Sequence, residues 1–586
     1  MTSKDNKYSQ LCGDKFKRNT MLWLLVMSTS FMLSIPFLLP HTGFVALFAF
    51  IPLLAAEQIA TQTGKRHFWI YYYSCFLIWN LVTTYWIYNA TLPGMVAAVV
   101  LNALQMAVVF RLFRWMRKYS QGFLPYLFLM VTWLAWEHSY FNWDVSWPWL
   151  VLGNSFATSI KSVQWYEYTG TLGGSFWVLL SNTLLFRIIH KKNEGERIFL
   201  STISASLVIL LPIIVSHIIF YTYKEPQFEP SSGSGSRQFV LIQPNIDPYT
   251  DKFSGMTQTQ QNNVLLQLAT EALQNGEMAV GSRMNNESEF IVAPETFISR
   301  YPLINEDNPY MHYSFNSFAD FLADYNSREG NNLNMIIGAV TDDYYYGYNE
   351  RDKSGKPIPP TESARYNERG EVWYDRANTA IFLNSKGGYE FYHKSKLVVL
   401  VESTPYKKFF NLLSHFAIDL GGAIGSYATQ AEREVFVTDD SVKIGTAICY
   451  ESVYGDYYRE YILKGAQVMS IITNDGWWGD TPGYKQHLSY ASLRAIETRR
   501  AIARSANTGI SAFINQKGEI TSCTEWWKPA YLKASLPLND ELTIFVRHGD
   551  IIGRLSRFLF FLLTLMALVR GRLKKQIRLQ EQPDLL

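Results

Sequence analysis

Three residues of different chemistry fall at the ends of apolar, strand-like runs: Glu295 in VAPETF, Lys394 in FYHKSKLVVLVE and Cys449 in IGTAICYES. A thiol becomes a strong nucleophile when a base takes its proton, and its attack on a carbonyl needs a cation or N–H groups where the oxyanion forms. A carboxylate, an ammonium and a thiol fill those roles without histidine. Each residue also has a plainer reading. Glu295 alone would be a surface carboxylate, and Cys449 an inert core thiol or the partner of Cys523 in an oxidising compartment. His393 offers a Cys–His pair, but as the strand neighbour of Lys394 it would point the opposite way.

The elements that must present these residues are short apolar runs: 239–243, 289–293, 334–340, 379–383, 443–448, 467–473 and 510–514. Helical patterns lie between them at 257–275, 313–325 and 484–503. Alternating strands and helices predict an α/β or layered αββα domain over 238–545. Residues 342–376, polar and rich in tyrosine, read as a long and mobile surface insertion. The stretch 407–420 has the pattern of an amphipathic helix, which could sit in the core or act as a lid with Phe409, Phe410, Leu412 and Leu413 on the membrane surface. A Ser/Gly-rich linker, 223–237, precedes the domain.

The rest of the chain has a different character. Apolar runs near the roughly 20 residues needed to span a bilayer occur at 20–39, 43–61, 68–88, 93–113, 122–140, 171–189, 198–222 and 551–570. Seven helices therefore form an N-terminal bundle (1–222), and an eighth follows the globular part, with a tail at 571–586. Basic residues cluster in alternate loops (Lys65 and Arg66; Arg114, Arg117 and Lys118; Lys191, Lys192 and Arg197) and at both termini, so both termini are expected in the cytoplasm and the globular domain outside it. The segment 141–170 carries Trp143, Trp147, Trp149 and Trp165. It reads either as an interfacial aromatic belt or as a re-entrant wall lining a lipid cleft, with Glu137 at its edge as an ionisable group of functional interest. A formal net charge of +3 and the lack of a basic stripe argue against nucleic acid. Four scattered cysteines give no disulfide framework, and no motif suggests a metal site.

The order Glu295, Lys394, Cys449 resembles the triad of the nitrilase, or carbon–nitrogen hydrolase, superfamily, whose fold is an αββα sandwich. The wider layout resembles its membrane branch, the apolipoprotein N-acyltransferases. Matching strings are Tyr392–Lys394 with Glu402, the CYE of Cys449, Tyr450 and Glu451, NDGWWGD at 474–480 with Gln486, His487 and Arg494, then Arg504, Asn507 and RHGD at 547–550. In the bundle, Glu137, Trp147-Pro148-Trp149 and Gly153 are similar to the family's loop. The spacing from Lys394 to Glu402 favours Lys394 over Lys396. Departures are Phe253 where the family has Trp, LVVLVE in place of LVPFGE, and the long insertion.

The resemblance implies that Glu295 is a general base, that Lys394 holds an oxyanion and that Cys449 forms a thioester. Glu402, Tyr450 and Glu451 would support them, and Phe253, Trp477, Trp478, Trp147 and Trp149 would meet substrate. It further implies a phospholipid acyl donor, phosphatidylethanolamine, a diacylglyceryl-cysteine apolipoprotein acceptor, ping-pong kinetics, no cofactor, and a bacterial inner-membrane location with the catalytic domain periplasmic. A membrane-tethered amidase and a non-enzymatic transporter are the competing readings. Eight spans exceed what an anchor needs, and the spans show no paired broken helices of a transporter.

Overall fold

A computed structural model describes residues 15–225, 235–274, 287–328, 331–399, 401–403 and 426–581. The amphipathic stretch 407–420 lies outside the described residues. The chain forms two compact units, one of residues 1–88, 92–221 and 548–586, the other of 89–91 and 222–547.

The first unit is helical: α1 (Lys15–Leu38), α2 (Ile51–Gln62), α3 (Trp69–Thr84), α4 (Leu92–Met116), α5 (Leu124–Tyr140), α6 (Thr171–Asn193), α7 (Phe199–Thr222) and α12 (Ile551–Glu581). Among the described residues, six helical stretches are long and apolar enough to cross a membrane: 15–38, 43–62, 92–116, 171–193, 199–222 and 551–574. The other two expected spans are helices of 16 and 17 residues, α3 and α5. At about 1.5 Å per residue α5 rises about 26 Å, and α3 rises about 24 Å before running on as a 3-10 helix, Tyr85–Asn89, so both come near a hydrocarbon core of about 30 Å. The α5 helix stops at Tyr140, where the tryptophan segment begins. Buried amides tie the helices together. Asn102 Nδ2 donates to Asn80 Oδ1 at 2.7 Å, and Asn182 Nδ2 to the Ala46 carbonyl at 2.7 Å. In a setting without water such bonds must be met internally.

The tryptophan segment is packed rather than belt-like. It winds through three short 3-10 turns, Pro148–Leu150, Leu152–Phe156 and Ile160–Ser162. Trp149 is fully buried, and its ring stacks on Trp147 at 5.1 Å. Glu137 Oε1 accepts from Leu152 N at 2.9 Å and from Trp133 Nε1 at 3.0 Å, fastening the segment to α5. A Cβ on Gly153 would lie 2.0 Å from the Thr171 carbonyl oxygen, so only glycine fits this crossing.

The second unit holds two sheets. The first has the order β14 (Ala530–Pro537), β1 (Ser236–Gln243), β2 (Glu289–Val292), β4 (Leu333–Tyr345), β6 (Val372–Leu383), β5 (Arg365–Asn367), with β3 (Ile304–Asn305) on β4 and β7 (Tyr389–His393) on β6. The second runs β13 (Ile520–Cys523), β12 (Ala512–Ile514), β11 (Ile502–Ala506), β10 (Val468–Thr473), β9 (Lys443–Ile448), β8 (Val435–Val437). In each sheet three neighbouring strands are parallel, β1–β2–β4 and β9–β10–β11. Such strands are buried on both faces, which is why they read as unbroken apolar runs.

Ile242, Ile291, Met335 and Ile337 of the first sheet share a core with Leu265 and Ala269 of α8 (Gln258–Gln274) and with Phe315, Phe318 and Leu322 of α9 (Tyr313–Asn326). Helices α10 (Gly455–Leu463) and α11 (Pro482–Thr498) serve the second sheet. The sheets meet where Phe382 stacks on Phe436 at 5.1 Å and Ser505 Oγ donates to the Ile242 carbonyl at 2.9 Å. The layers are αββα.

Two expectations change. The helix expected over 484–503 stops at Thr498 because Arg499 turns left-handed (φ 50°), and the chain continues as β11. The base of the 342–376 insertion is an ordered ladder, with β4 paired to β6 as far as Tyr345 and Trp373, rather than a loop.

Candidate active site

Open α/β sheets offer a site beyond the carboxyl ends of their parallel strands. Here Glu295 follows β2, Cys449 directly follows β9, and Asp475 follows β10. The Glu295 turn is pressed onto β4: a Cβ on Gly338 would lie 2.5 Å from Glu295 Cα and 2.5 Å from Thr296 N. Thr296 takes a left-handed φ of 49° and Cys449 one of 51°. That conformation is costly for residues with a Cβ and marks both turns as specially held.

Lys394 is buried at 1% exposure. Its Nζ donates to Glu295 Oε1 at 2.8 Å and lies 2.9 Å from Glu402 Oε2. Asn378 Nδ2 bridges the same two carboxylates, at 2.8 Å to Glu295 and 2.9 Å to Glu402. Burial pushes the Glu295 carboxyl up, but Lys394, Asn378 and a second ammonium, Lys252, hold it below its ordinary range. Burial pulls Lys394 down, and the charges of Glu295 and Glu402 more than reverse that. The Cys449 thiol is pushed well up, first by burial and then by the Glu295 charge, with Lys394 opposing. At rest the proton therefore sits on sulfur, facing an ionised carboxylate and an ammonium.

The turn carrying Cys449 is anchored by Glu451, which is fully buried. Glu451 Oε2 accepts from Ile448 N at 2.8 Å and from Tyr461 Oη at 3.1 Å. Its Oε1 accepts from Ser395 N at 2.7 Å, from Tyr392 Oη at 3.2 Å and from Tyr457 Oη. One carboxylate thus ties the Cys449 turn to the backbone next to Lys394. Tyr450 is buried beside it, its ring edge-on to Tyr454 at 5.2 Å.

Other expected residues are spread more widely. Trp477 and Trp478 are half-buried in the short turn Asp475–Trp478. The Trp477 ring meets Tyr249 at 5.4 Å, and the Trp478 ring meets His487 at 5.7 Å. Trp147 and Trp149 belong to the first unit. The Phe253 side chain lies outside the described residues. His393 faces away from the cluster and pairs with Glu306 at 3.4 Å, and Lys396 lies over the Tyr454 ring. Cys449 and Cys523 are both free, so the disulfide reading is excluded.

Sequence reasoning missed Asn378, which sits just ahead of a predicted strand, and Lys252. Lys252 is buried, donates to Thr296 Oγ1 at 2.8 Å and is drawn down by burial to about 8. Neither carried a local signal. They reach Glu295 only through sheet pairing and the turn after β1.

Two family models match the chain: the apolipoprotein N-acyltransferase N-terminal domain over residues 29–184 and carbon–nitrogen hydrolase over residues 255–541. The apolipoprotein N-acyltransferase of Chlorobaculum tepidum is 28% identical over 540 residues, covering 91% of this chain and 93% of its own. That of Geobacter metallireducens is 25% identical, covering 91% and 92%. Among solved structures, an amidase from Nesterenkonia sp. is 13% identical with a TM-score of 0.33, over 55% of this chain and 96% of its own. A nitrilase-superfamily protein from Saccharomyces cerevisiae is 13% identical with a TM-score of 0.34, over 53% and 93%. With one model on the helical unit, the other on the sandwich, and relatives alike from end to end, the chain belongs to the apolipoprotein N-acyltransferase family of membrane-embedded carbon–nitrogen hydrolases.

Proposed function

We propose that this membrane protein transfers an acyl chain from a phospholipid to the α-amine of a diacylglyceryl-cysteine on apolipoproteins, with Cys449 as the covalent carrier. The single observation that carries this reading is the coincidence of two things: relatives of that name that align over 91% of the chain, and a free buried thiol on a left-handed turn in the field of Glu295 and Lys394.

The reaction follows from the charges. In the first half, Glu295 takes the Cys449 proton as sulfur attacks the ester carbonyl of the donor, for which phosphatidylethanolamine is our choice. The Lys394 ammonium and backbone N–H groups by Cys449 hold the oxyanion. The ester C–O bond breaks, Glu295 returns the proton to the departing lysophospholipid oxygen, and a thioester remains. In the second half, the acceptor amine attacks the thioester, Glu295 accepts a proton from it, and Cys449 leaves as thiol, reprotonated from Glu295. Two half-reactions at one cysteine are ping-pong. Glu295 and Glu402, bridged by Asn378, keep Lys394 fixed and charged between them, and no step needs a cofactor.

The basic alternate loops favour cytoplasmic termini. Five of the six long spans precede residue 223 and one follows the sandwich. With α3 and α5 as the two further crossings, the basic loops and the N-terminus all fall on one side, which supports a catalytic unit on the outer, periplasmic side of the inner membrane. The test is direct. Purified protein is incubated with phosphatidylethanolamine labelled in its acyl chains, and Cys449 is examined by mass spectrometry for the acyl mass. A lipidated-cysteine peptide is then added to discharge it. An adduct that transfers to the peptide is the expected result. No adduct, under conditions where a small amide is hydrolysed, would replace this reading by a membrane-tethered amidase.

A further inference from the structure

Behind Cys449 lies a buried polar set that the triad chemistry leaves without a role: Asp475, His487 and Arg504. His487, on α11, is 1% exposed. Its Nε2 lies 3.2 Å from the carbonyl oxygen of Cys449 itself and 3.1 Å from Ser452 Oγ. Ser452 Oγ donates to the same carbonyl at 2.7 Å. A carbonyl oxygen can only accept, so the Nε2 contact requires a proton on Nε2. The Ser452 hydrogen is already directed at that carbonyl, so the hydroxyl presents lone pairs to the ring. On the other side of the ring, Nδ1 lies 2.9 Å from Asp475 Oδ1. Asp475 also accepts from Thr473 Oγ1 at 2.7 Å and is paired with Arg504 Nη2. Burial pushes the Asp475 carboxyl up, and Arg504, His487 and Thr473 overcome it and hold it ionised.

The thiol of Cys449 with Asp475 and His487 brings three metal-ligating groups within 4.8 Å. The guanidinium of Arg504 already occupies that carboxylate, and a cation beside a cation site opposes metal binding. The arrangement is instead a brace. Cys449 has a left-handed φ of 51°, which crowds an ordinary residue's Cβ against the following carbonyl oxygen. Two donors on its carbonyl fix the following peptide plane and keep the turn from relaxing.

We propose that His487, oriented by Asp475 and Arg504, is a positioning residue that grips the Cys449 carbonyl and so aims the thiol at the donor ester. This deepens the acyl-transfer reading and rests on Cys449 being its nucleophile. The experiment compares His487→Gln, His487→Asn and His487→Ala in the full-length protein. The glutamine amide nitrogen reaches the place of Nε2 and restores the donor to Cys449, whereas the asparagine amide reaches only the place of Nδ1. Three quantities are read: single-turnover acylation of Cys449 by labelled phosphatidylethanolamine, the rate of Cys449 alkylation by iodoacetamide, and the melting temperature.

The glutamine variant is expected to stay within about threefold of wild type in acylation, and the asparagine and alanine variants to lose about 10–100-fold, the worth of one such hydrogen bond. The donor KM is expected to stay unchanged. Equal losses in glutamine and asparagine variants, wild-type rates in all three, or failure of all three to fold would overturn the proposal. The last result would make His487 a core residue. Wild type that gains no acyl mass from lipid would defeat the acyl-transfer reading alone, because the alkylation rates judge the His487 grip without any lipid.

Discussion

Replacing Glu451 by Gln tests whether the nucleophile turn is held by charge or by shape. The side chains are isosteric, so packing is unchanged. The amide group must take one of two places. Facing Ile448 N it strands a backbone donor now 2.8 Å from Oε2, and facing Ser395 N it strands one now 2.7 Å from Oε1. The tyrosine hydroxyls can rotate and accept from the amide, but a backbone N–H cannot. A stranded buried donor costs roughly 1–3 kcal/mol, and the remaining bonds lose their charge assistance, so the total is about 2–4 kcal/mol. For a unit of this size that is a fall in melting temperature of roughly 3–6 °C. The loss is directional as well. Either stranded donor sits next to a triad member, Ile448 beside Cys449 or Ser395 beside Lys394, so acylation should fall further than stability alone explains. The assay is differential scanning fluorimetry of the full-length protein in detergent, alongside single-turnover acylation below the melting range. A variant that melts with wild type and acylates normally would refute the claim that this carboxylate sets the turn.

Three further outcomes follow from the site. Glu295→Gln removes a charge that holds the thiol protonated, so Cys449 alkylation should begin at lower pH than in wild type, while lipid acylation drops about 10²–10⁴-fold for want of a base; parallel movement of the two would contradict the division of roles. Lys394→Met removes the cation that depresses Glu295. Because a depressed carboxyl contributes above its ordinary pKa and is lost only as pH falls through the lower folded value, the acid limb of acylation and of stability should move to higher pH, with the rate down about 10²-fold or more. An unmoved acid limb in the residual rate would argue against the coupling. Gly338→Ala forces a methyl against Glu295 Cα, 2.5 Å away. It should cost about 1–3 kcal/mol and misplace the base, read as a lower melting temperature with a lower acylation rate at an unchanged donor KM.

Much of the site was legible because its residues follow buried parallel strands, which leave apolar runs that stop abruptly at Val292 and Ile448. The short edge strands left no such runs: polar residues interrupt β5 and β13, and β8 is only the three residues Val435–Val437. The end of α11 was missed because the helical period runs on through Arg499 and Arg500. What stops it is a left-handed residue whose side chain donates to the Gln516 carbonyl at 3.0 Å, a partner far along the chain. Asn378 and Lys252 stayed invisible because nothing near them in sequence is catalytic. Pairing of β4 with β6 delivers the first, and a turn folded back on Thr296 delivers the second.

The left-handed backbone at Cys449 also bears on how such a sequence drifts. Glycine would occupy that position without the backbone cost of about 1 kcal/mol, which offsets much of what a buried thiol adds through packing. Selection for a stable chain alone would therefore do little to keep the thiol. A lineage that lost its need for the activity should shed this cysteine readily, while Glu451 and Gly338, which serve the architecture too, would outlast it. The residue that identifies the activity is one the fold itself has little need of.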